Sequence, residues 1–480
     1  MSTRRKFLLG TAGVAAAGTA LVVGWGVLPV RQRLRGSNPL PTAAGQQAFN
    51  GWVKIGADDT VTIQVPKSEM GQGVLTSLAM LLADELDADW ATVRTEHPPV
   101  DAIYNNLATV VDGLPFHPDN SGWVKRVAGH MTAKTMREVG LQMTGGSSSV
   151  KDLWGPMREA GASARAMLVA AAAAEWKVPA TEVQVKQGVL SHPGSGKTAR
   201  FGALAARASQ QPLPESVVLK QPGQFNLIGK DTRRHEAASK QDGSARYGLD
   251  TLLPGMLYAS VLMCPTLGGA VTSFDAKAAL ALPGVKAVIA VPGLRGGTAG
   301  VAAIAGTPWQ AISAAKAVVV QWDHGVNAQL NSADITTLLK QKLAEDDGFG
   351  YYSQGDAAAA LKGAAKTLTA EYQAPLLAHA TLEPMNCTVH YTPDAKDGPL
   401  ASVWAPTQVP GLGRYVAAQA LGLASEQVAM NVTLLGGGFG RRLEVDFIAQ
   451  AAHIARSQPG VPVQTFWSRE QDSTHDFYRP

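Results

Sequence analysis

The chain has 480 residues, 46% of them hydrophobic and 17% charged, with a formal net charge of +4. That length allows two or three domains with separate cores, and alanine and glycine make up for the missing charge without the polar bias of a disordered chain. Residues 1–36 hold six of the 42 basic groups and no acid, which leaves 36 basic against 38 acidic groups in the body and implies no face for nucleic acid.

Residues 1–36 read as a targeting segment. Arg4, Arg5 and Lys6 precede an uncharged apolar run from Phe7 to Leu28. The Arg4-Arg5 pair followed by Lys6, Phe7 and Leu8 resembles a twin-arginine export signal. A run of about twenty apolar residues also suffices for a plain membrane anchor. No A-x-A-like site precedes Ser37, so an uncleaved signal would tether the protein. The expectation is export by the twin-arginine route to the periplasm, with the N-terminus either removed or holding the chain to the inner membrane.

After a proline-containing linker, Trp52–Ile55 and Val61–Val65 alternate around "GADDT" and predict a hairpin. "KSEMGQGV" leads into a helix over Leu75–Leu86. "TGGSSSV" precedes a long alanine-rich helix, about Pro156–Trp176, followed by the hairpin "VQVKQGVL" and the short helix "FGALAARASQ". A strand is expected over Gly255–Met263, a short helix over Asp275–Leu282, a strand at "GVKAVIAVPG", and a helix running into a strand at "WQAISAAKAVVVQWD". From about Asn331 strands and helices alternate, and Val428–Leu435 reads as a strand that meets Gly436, Gly437 and Gly438. No 20–50-residue period recurs, which argues against a solenoid.

"GSGKT" at 194–198 lacks the upstream glycine of a phosphate-binding loop, with Ser191 in its place, and reads as a turn. "GGGFG" fails the G-x-G-x-x-G pattern, so a nicotinamide site is unsupported. Three backbone-rich turns remain: "MGQG" (70–73), "GGSSS" (145–149) and "GGGFGRR" (436–442), each near a predicted helix start. Free amides at a helix N-terminus suit phosphate or pyrophosphate, although one such turn alone is usually structural. Their spacing names no cofactor. His379, Glu383 and Pro384 read as a structural turn, and Gln408 follows a strand where its amide could enter a cleft. Cys264 and Cys387 are too few for a disulfide framework, a cysteine-ligated zinc or an iron–sulfur cluster; they read as separate buried thiols or one long-range disulfide.

Taken in order, "MGQG", "TGGSSS", "HATLEPMNCTV", "WAPTQ", "GGGFGRR" and "WSREQDSTHDFYRP" resemble the large subunit of the xanthine dehydrogenase family of molybdenum hydroxylases. The resemblance is greatest to the isoquinoline 1-oxidoreductase beta type and to membrane-associated aldehyde dehydrogenase large subunits. It implies an α+β fold: a leader (1–36), a first part of a permuted molybdopterin-binding domain (37–225), an inserted α/β hammerhead domain (226–327) and a second part (328–480). It implies that Gly71, Gln72, Gly73, Ser147, Ser148, Ser149, Gln408, Gly437, Gly438, Phe439, Gly440 and Arg441 bind a molybdopterin dinucleotide, the cytosine form, carrying molybdenum. Arg441 and Arg442 stand where purine hydroxylases carry Gly-Lys, and Leu443 where they carry glutamate, so purine recognition is not implied. Whether the arginines touch cofactor phosphate or face solvent stays open. No residue of the chain is expected to ligate a metal directly.

The implied reaction is hydroxylation of an N-heteroaromatic or oxidation of an aldehyde, with water as the oxygen source. Electrons would leave through [2Fe–2S] clusters on a small partner subunit, toward a cytochrome c or another acceptor. The family's catalytic glutamate, in a G-x-G-E context, is not found, and neither Glu383 nor Glu444 is expected to replace it. The expectation is therefore an incomplete cofactor domain whose remainder lies on a further segment or chain; the alternative is a non-catalytic assembly or binding subunit.

Overall fold

The computed structural model describes residues 28–345, 348 and 354–480. The readings placed on residues 1–27 lie outside the described residues. The fold is α+β.

In the N-terminal lobe, apolar alternation around a polar turn gives the antiparallel hairpin of β2 (Val53–Gly56) and β3 (Val61–Gln64), flanked by β1 (Gln46–Ala48). The fourth strand, β4 (Val93–Glu96), runs parallel to β3. A parallel neighbour needs a crossover, and helix α1 (Val74–Leu86) supplies it. The two long helices that follow are α2 (Trp123–Val139) and α3 (Ser149–Trp176). α1 and α3 approach so closely that a Cβ on Gly161 would collide with the carbonyl oxygen of Leu82. Trp52, Ile55, Ile63, Leu78, Leu82, Leu153 and Leu168 form the core between sheet and helices. α1 also buries two acids. Asp84 accepts from the backbone of Asn226, Leu227 and Ile228, and Glu85 pairs with Arg158, so both charges tie the helix to its neighbours. A small antiparallel sheet, β5 (Gln184–Lys186), β6 (Val189–His192) and β7 (Lys197–Arg200), completes the lobe, and "GSGKT" is the β6–β7 turn, as its broken pattern implies.

The second lobe is built on a seven-stranded mixed sheet. Its strands are β8 (Leu257–Met263), β10 (Val285–Val291), β11 (Gly300–Ala305), β13 (Asn386–Tyr391), β14 (Ala401–Ala405), β15 (Val428–Val432) and β16 (Pro462–Phe466), in the spatial order β10-β11-β8-β16-β13-β14-β15. β9 (Ala270–Asp275) and β12 (Val319–Asp323) form a separate ribbon beside helix α4 (Pro308–Ala317). Segment 226–327 thus shares one sheet with the C-terminal part through the parallel β8–β16 pair. Helices α5 (Pro410–Leu421) and α6 (Asp446–Ala455) cover the sheet, closing a core of Val261, Met385, Val403, Val416, Ile448 and Ile454.

One boundary moves. Residues up to 36 read as leader, yet Arg33 and Leu34 are buried in the first lobe. The Arg33 guanidinium donates to the carbonyls of Ile103 (2.6 Å) and Asn105 (2.8 Å) and pairs with Asp152. Its own carbonyl accepts from the Trp52 indole at 2.6 Å. One charge of the segment read as a leader is thus a core element of the first lobe. Both cysteines are free and buried, as two separate thiols.

Candidate functional site

Four loops far apart in the sequence meet where the lobes join. The first precedes α1 and the second precedes α3; the third runs from β14 to α5 and the fourth follows β15. Gln408 is their hub. Its side-chain Nε2 donates to the Thr144 carbonyl (2.9 Å), its Oε1 accepts from the Gly440 amide (3.3 Å), and its backbone bonds Thr144 and Arg442. Ser68 donates its hydroxyl to the Thr407 carbonyl at 2.7 Å, and its amide donates to the Thr144 hydroxyl at 2.8 Å. The Leu435 amide donates to the Glu69 carbonyl at 3.0 Å. The structure therefore brings "MGQG", "TGGSSS", "WAPTQ" and "GGGFG" together.

The glycines serve two purposes. A Cβ on Gly438 would sit 2.6 Å from the Met70 sulfur and 2.8 Å from Gln408 Oε1, and one on Gly436 would collide with Glu383. At these two positions it is the protein itself that approaches the backbone. Gly71 and Gly440 differ: φ is +106° and +104°, Gly71 has open space where a side chain would be, and nothing comes closer to Gly440 there than His379 Nε2 at 3.7 Å. Phe439 also takes a positive φ, 52°, and is exposed. Bare backbone in conformations only glycine favours is what a large ligand needs for close approach. These residues fit such a group.

Several expected contacts are instead internal. Arg441 and Arg442 neither reach a cradle surface nor face solvent; both are fully buried. Arg441 forks onto Asp446 with two 2.9 Å bonds, stacks between Trp467 and Phe477, and places Nε 3.1 Å from Asp476 as an ion contact without an aligned hydrogen bond. Burial pulls its pKa down, but Asp446 and Asp476 outweigh that and raise it. Arg442 donates to the carbonyls of Gly437 (2.8 Å), Pro406 (3.2 Å) and Glu383 (2.7 Å) and pairs with the Glu383 carboxylate at 3.1 Å. A guanidinium presents five donors in a rigid fork, so a single side chain can knit three carbonyls from separate loops.

The N-terminus of α1 was expected to receive a phosphate. The Glu69 carboxylate fills it, accepting from the amides of Gly71 (2.9 Å), Gly73 (3.2 Å) and Leu75 (3.2 Å) with Lys240 alongside. Burial pushes the Glu69 pKa up, and these amides and Lys240 more than reverse it. Gln72 folds back locally, accepting from the Met70 amide and donating to the Ser68 carbonyl. In the second turn Ser147 has a φ of 51° and is exposed, whereas Ser148 is buried against Asn106, Thr109 and Gly145, and Ser149 opens α3. Of the expected residues, Gly71, Gln72, Ser147 and Phe439 are exposed, Ser149, Gly437 and Gly440 are partly so, and Gly73, Ser148, Gln408, Gly438 and Arg441 are buried.

Sequence reasoning missed three neighbours. Glu69 could have been found, since an acid just before a helix start is a capping signal. Arg234 donates to the Gly71 carbonyl at 2.8 Å and lies over Gly73, but nothing in its local sequence points there. His379, read as a structural turn residue, donates Nδ1 to Asp476 at 2.9 Å, which leaves Nε2 on the Gly440 side. Among the described residues no group of three histidines, cysteines or acids could hold a metal ion.

Comparison with known proteins finds related sequences over most of the chain. The molybdopterin cofactor-binding domain family matches residues 340–480, and a second family of the same description matches residues 11–110. The beta subunit of isoquinoline 1-oxidoreductase from Brevundimonas diminuta is 31% identical over 92% of this chain and 58% of its own length. The membrane-bound aldehyde dehydrogenase [pyrroloquinoline-quinone] of Gluconacetobacter polyoxogenes is 28% identical over 89% of this chain and 51% of its own. The chain therefore spans about half the length of these relatives. Among solved structures, the aldehyde oxidoreductase of Desulfovibrio gigas aligns over 84% of this chain and 41% of its own, with 16% identity and a TM-score of 0.42. Three of the four loops, at 70–73, 406–410 and 436–440, fall within the cofactor-binding matches, and these matches and relatives together support the xanthine dehydrogenase family of molybdenum hydroxylases for this chain.

Proposed function

We propose that this chain is the cofactor-holding part of a molybdenum-dependent oxidoreductase that hydroxylates an N-heteroaromatic or oxidises an aldehyde, with oxygen taken from water. The observation that carries the reading is the interlock of four loops on Gln408, with bare backbone left open at Gly71 and Gly440. The bound group is a molybdopterin dinucleotide, in the cytosine form. It supplies the two-electron oxidant and the activation of water.

The residues of this chain do the positioning. Gln408 fixes the loop after β15 against the loop before α3, so its amide orients the cradle and is not free for the ligand. Glu69 closes the α1 N-terminus and keeps Gly71 in its strained, open conformation. The Asp476 carboxylate bonds His379 Nδ1 and so orients the ring, with Nε2 turned toward Gly440. The two buried thiols cannot hold an iron–sulfur cluster, so electrons leave through [2Fe–2S] clusters on a small partner and on to a cytochrome c or similar acceptor. The apolar N-terminus and its arginine pair fit twin-arginine export and a tether to the inner membrane.

Metal analysis of the native protein, purified with whatever accompanies it, tests this. Near-stoichiometric molybdenum with a small iron–sulfur protein in the same peak supports the reading. Metal-free protein from a host that loads related enzymes refutes it, and a quinone in place of metal would point to different chemistry.

A further inference from the structure

α2 has an apolar face left exposed among the described residues. Trp123 is 68% exposed, Val124 50% and Val127 53%. Lys125 and Arg126 lie among them. The same helix grips the chain where the apolar N-terminal run ends. Lys134 donates to the Leu28 carbonyl at 2.8 Å, His130 bonds the same oxygen at 3.2 Å, and Arg137 donates to the Gln32 carbonyl at 3.1 Å. Arg33 then enters the core, locked by Asp152, Ile103 and Asn105. Leu28, Gln32 and Arg33 are thus each fastened to the first lobe.

The geometry points to this face of α2 as a membrane-docking surface whose partner is the lipid headgroup layer of a bilayer with anionic lipid; it rests on the tether reading above. The uncharged run Phe7–Leu28, about 22 residues, is enough for the ~30 Å hydrocarbon core. Its last residue is held on α2 at His130, about 10 Å along the helix axis from Trp123. If that run crosses a bilayer, α2 is brought to the headgroup level. There a tryptophan with valines and flanking Lys125 and Arg126 is the composition that membrane interfaces favour. Removal of the run at position 36 would also remove Arg33 from a buried ion pair, so the fold favours keeping this stem attached.

The test uses the full chain, with its leader, in vesicles of phosphatidylglycerol and phosphatidylethanolamine, some carrying brominated acyl chains. Flotation reads the tether, and bromolipid quenching of tryptophan reads the docking. Because Trp25 lies within the apolar run, the comparison is made in a Trp25→Phe background. The expected result is flotation of all variants, with quenching in W25F that disappears in W25F/W123F. Trp123 is exposed, so its replacement by phenylalanine leaves the core untouched, and circular dichroism checks this. Flotation with no quenching in W25F, while the wild type is quenched through Trp25, would overturn the docking surface and leave the tether standing. Failure of every variant to float would overturn both. A mature N-terminus at or beyond Ser37 in the native protein would also overturn the proposal.

Discussion

Arg442 offers the sharpest test of why the arginines follow the glycines. Replacing it by methionine keeps much of the volume and removes the guanidinium. The carbonyl oxygens of Gly437 and Pro406 then lose their donor, while that of Glu383 keeps the Thr381 hydroxyl at 2.8 Å. Burial pulls the Arg442 pKa down to about 10 despite Glu383, so this charge is already held at a cost and its removal recovers part of that. Glu383 retains its bonds from Leu249, Asn386 and Gly436, but its charge loses its partner. Orphaned buried acceptors cost about 1–3 kcal/mol each, and breaking one side of a buried ion pair about 3–5 kcal/mol. These overlap, and the recovered desolvation offsets some of the sum, which leaves a net loss of about 4 kcal/mol. For a cooperative unit near 200 residues this lowers the thermal midpoint by roughly 10 °C. The assay is thermal and urea unfolding of metal-free protein, where any role in holding a cofactor is silent. Arg442→Lys should fall close to the methionine variant, because an ammonium cannot span three carbonyls. A methionine variant within about 1 kcal/mol of wild type would refute the claim that Arg442 knits the protein.

Three further outcomes follow from the same contacts. Gly438→Ala places a methyl group against Gln408 Oε1 at 2.8 Å and should cost about 2 kcal/mol; a Gly71→Ala control, with open space but a φ of +106°, should cost about 1 kcal/mol through backbone strain alone. The lowered Glu69 pKa makes a contribution present above its ordinary value of 4.5 and lost as pH falls below it. Glu69→Gln should therefore cost about 2 kcal/mol at pH 6 and much less near pH 3, by urea titration at each pH; an equal cost at both would contradict a charged Glu69. Lys67, buried beside Asp152, has a slope of the same sign in a higher pH window, since burial brings its pKa down to about 8 from 10.5. Between those values the unfolded chain binds more protons, so stability should rise with pH, and Lys67→Met should flatten that rise.

Much of the fold was legible because its signals are local. The helix expected over Leu75–Leu86 spans Val74–Leu86, and the strand expected over Gly255–Met263 spans Leu257–Met263. The long helix begins at Ser149 instead of about Pro156, because Pro156 is accommodated inside it and the true start follows the "GGSSS" turn. α2 left no clear mark: its apolar residues do not all face inward, and Trp123, Val124 and Val127 blur the pattern that burial would impose. The loops of the candidate site were found from glycine and serine content. Their internal partners were not, since the pairing of Arg442 with Glu383 or of Gln408 with Thr144 is set by tertiary packing across long sequence separations. An exposed helix N-terminus and one closed by its own carboxylate look much alike in a sequence, and only the position of Glu69 hints at the difference.

The interlock on Gln408 also bears on how the molecule comes into being. Its bond to Thr144 joins residues 264 positions apart, and the bond from Ser68 to Thr407 joins residues 339 apart. Contacts of such range form late and slowly, because most of the chain must be ordered before they close. A nascent polypeptide that has not yet emerged to Gly440 possesses every helix of its first lobe and no cradle at all. Formation of the cradle thus marks the docking of the two lobes. Any large ligand that needs all four loops can meet only a chain whose lobes have already joined, and a mutation that loosens one loop delays that moment.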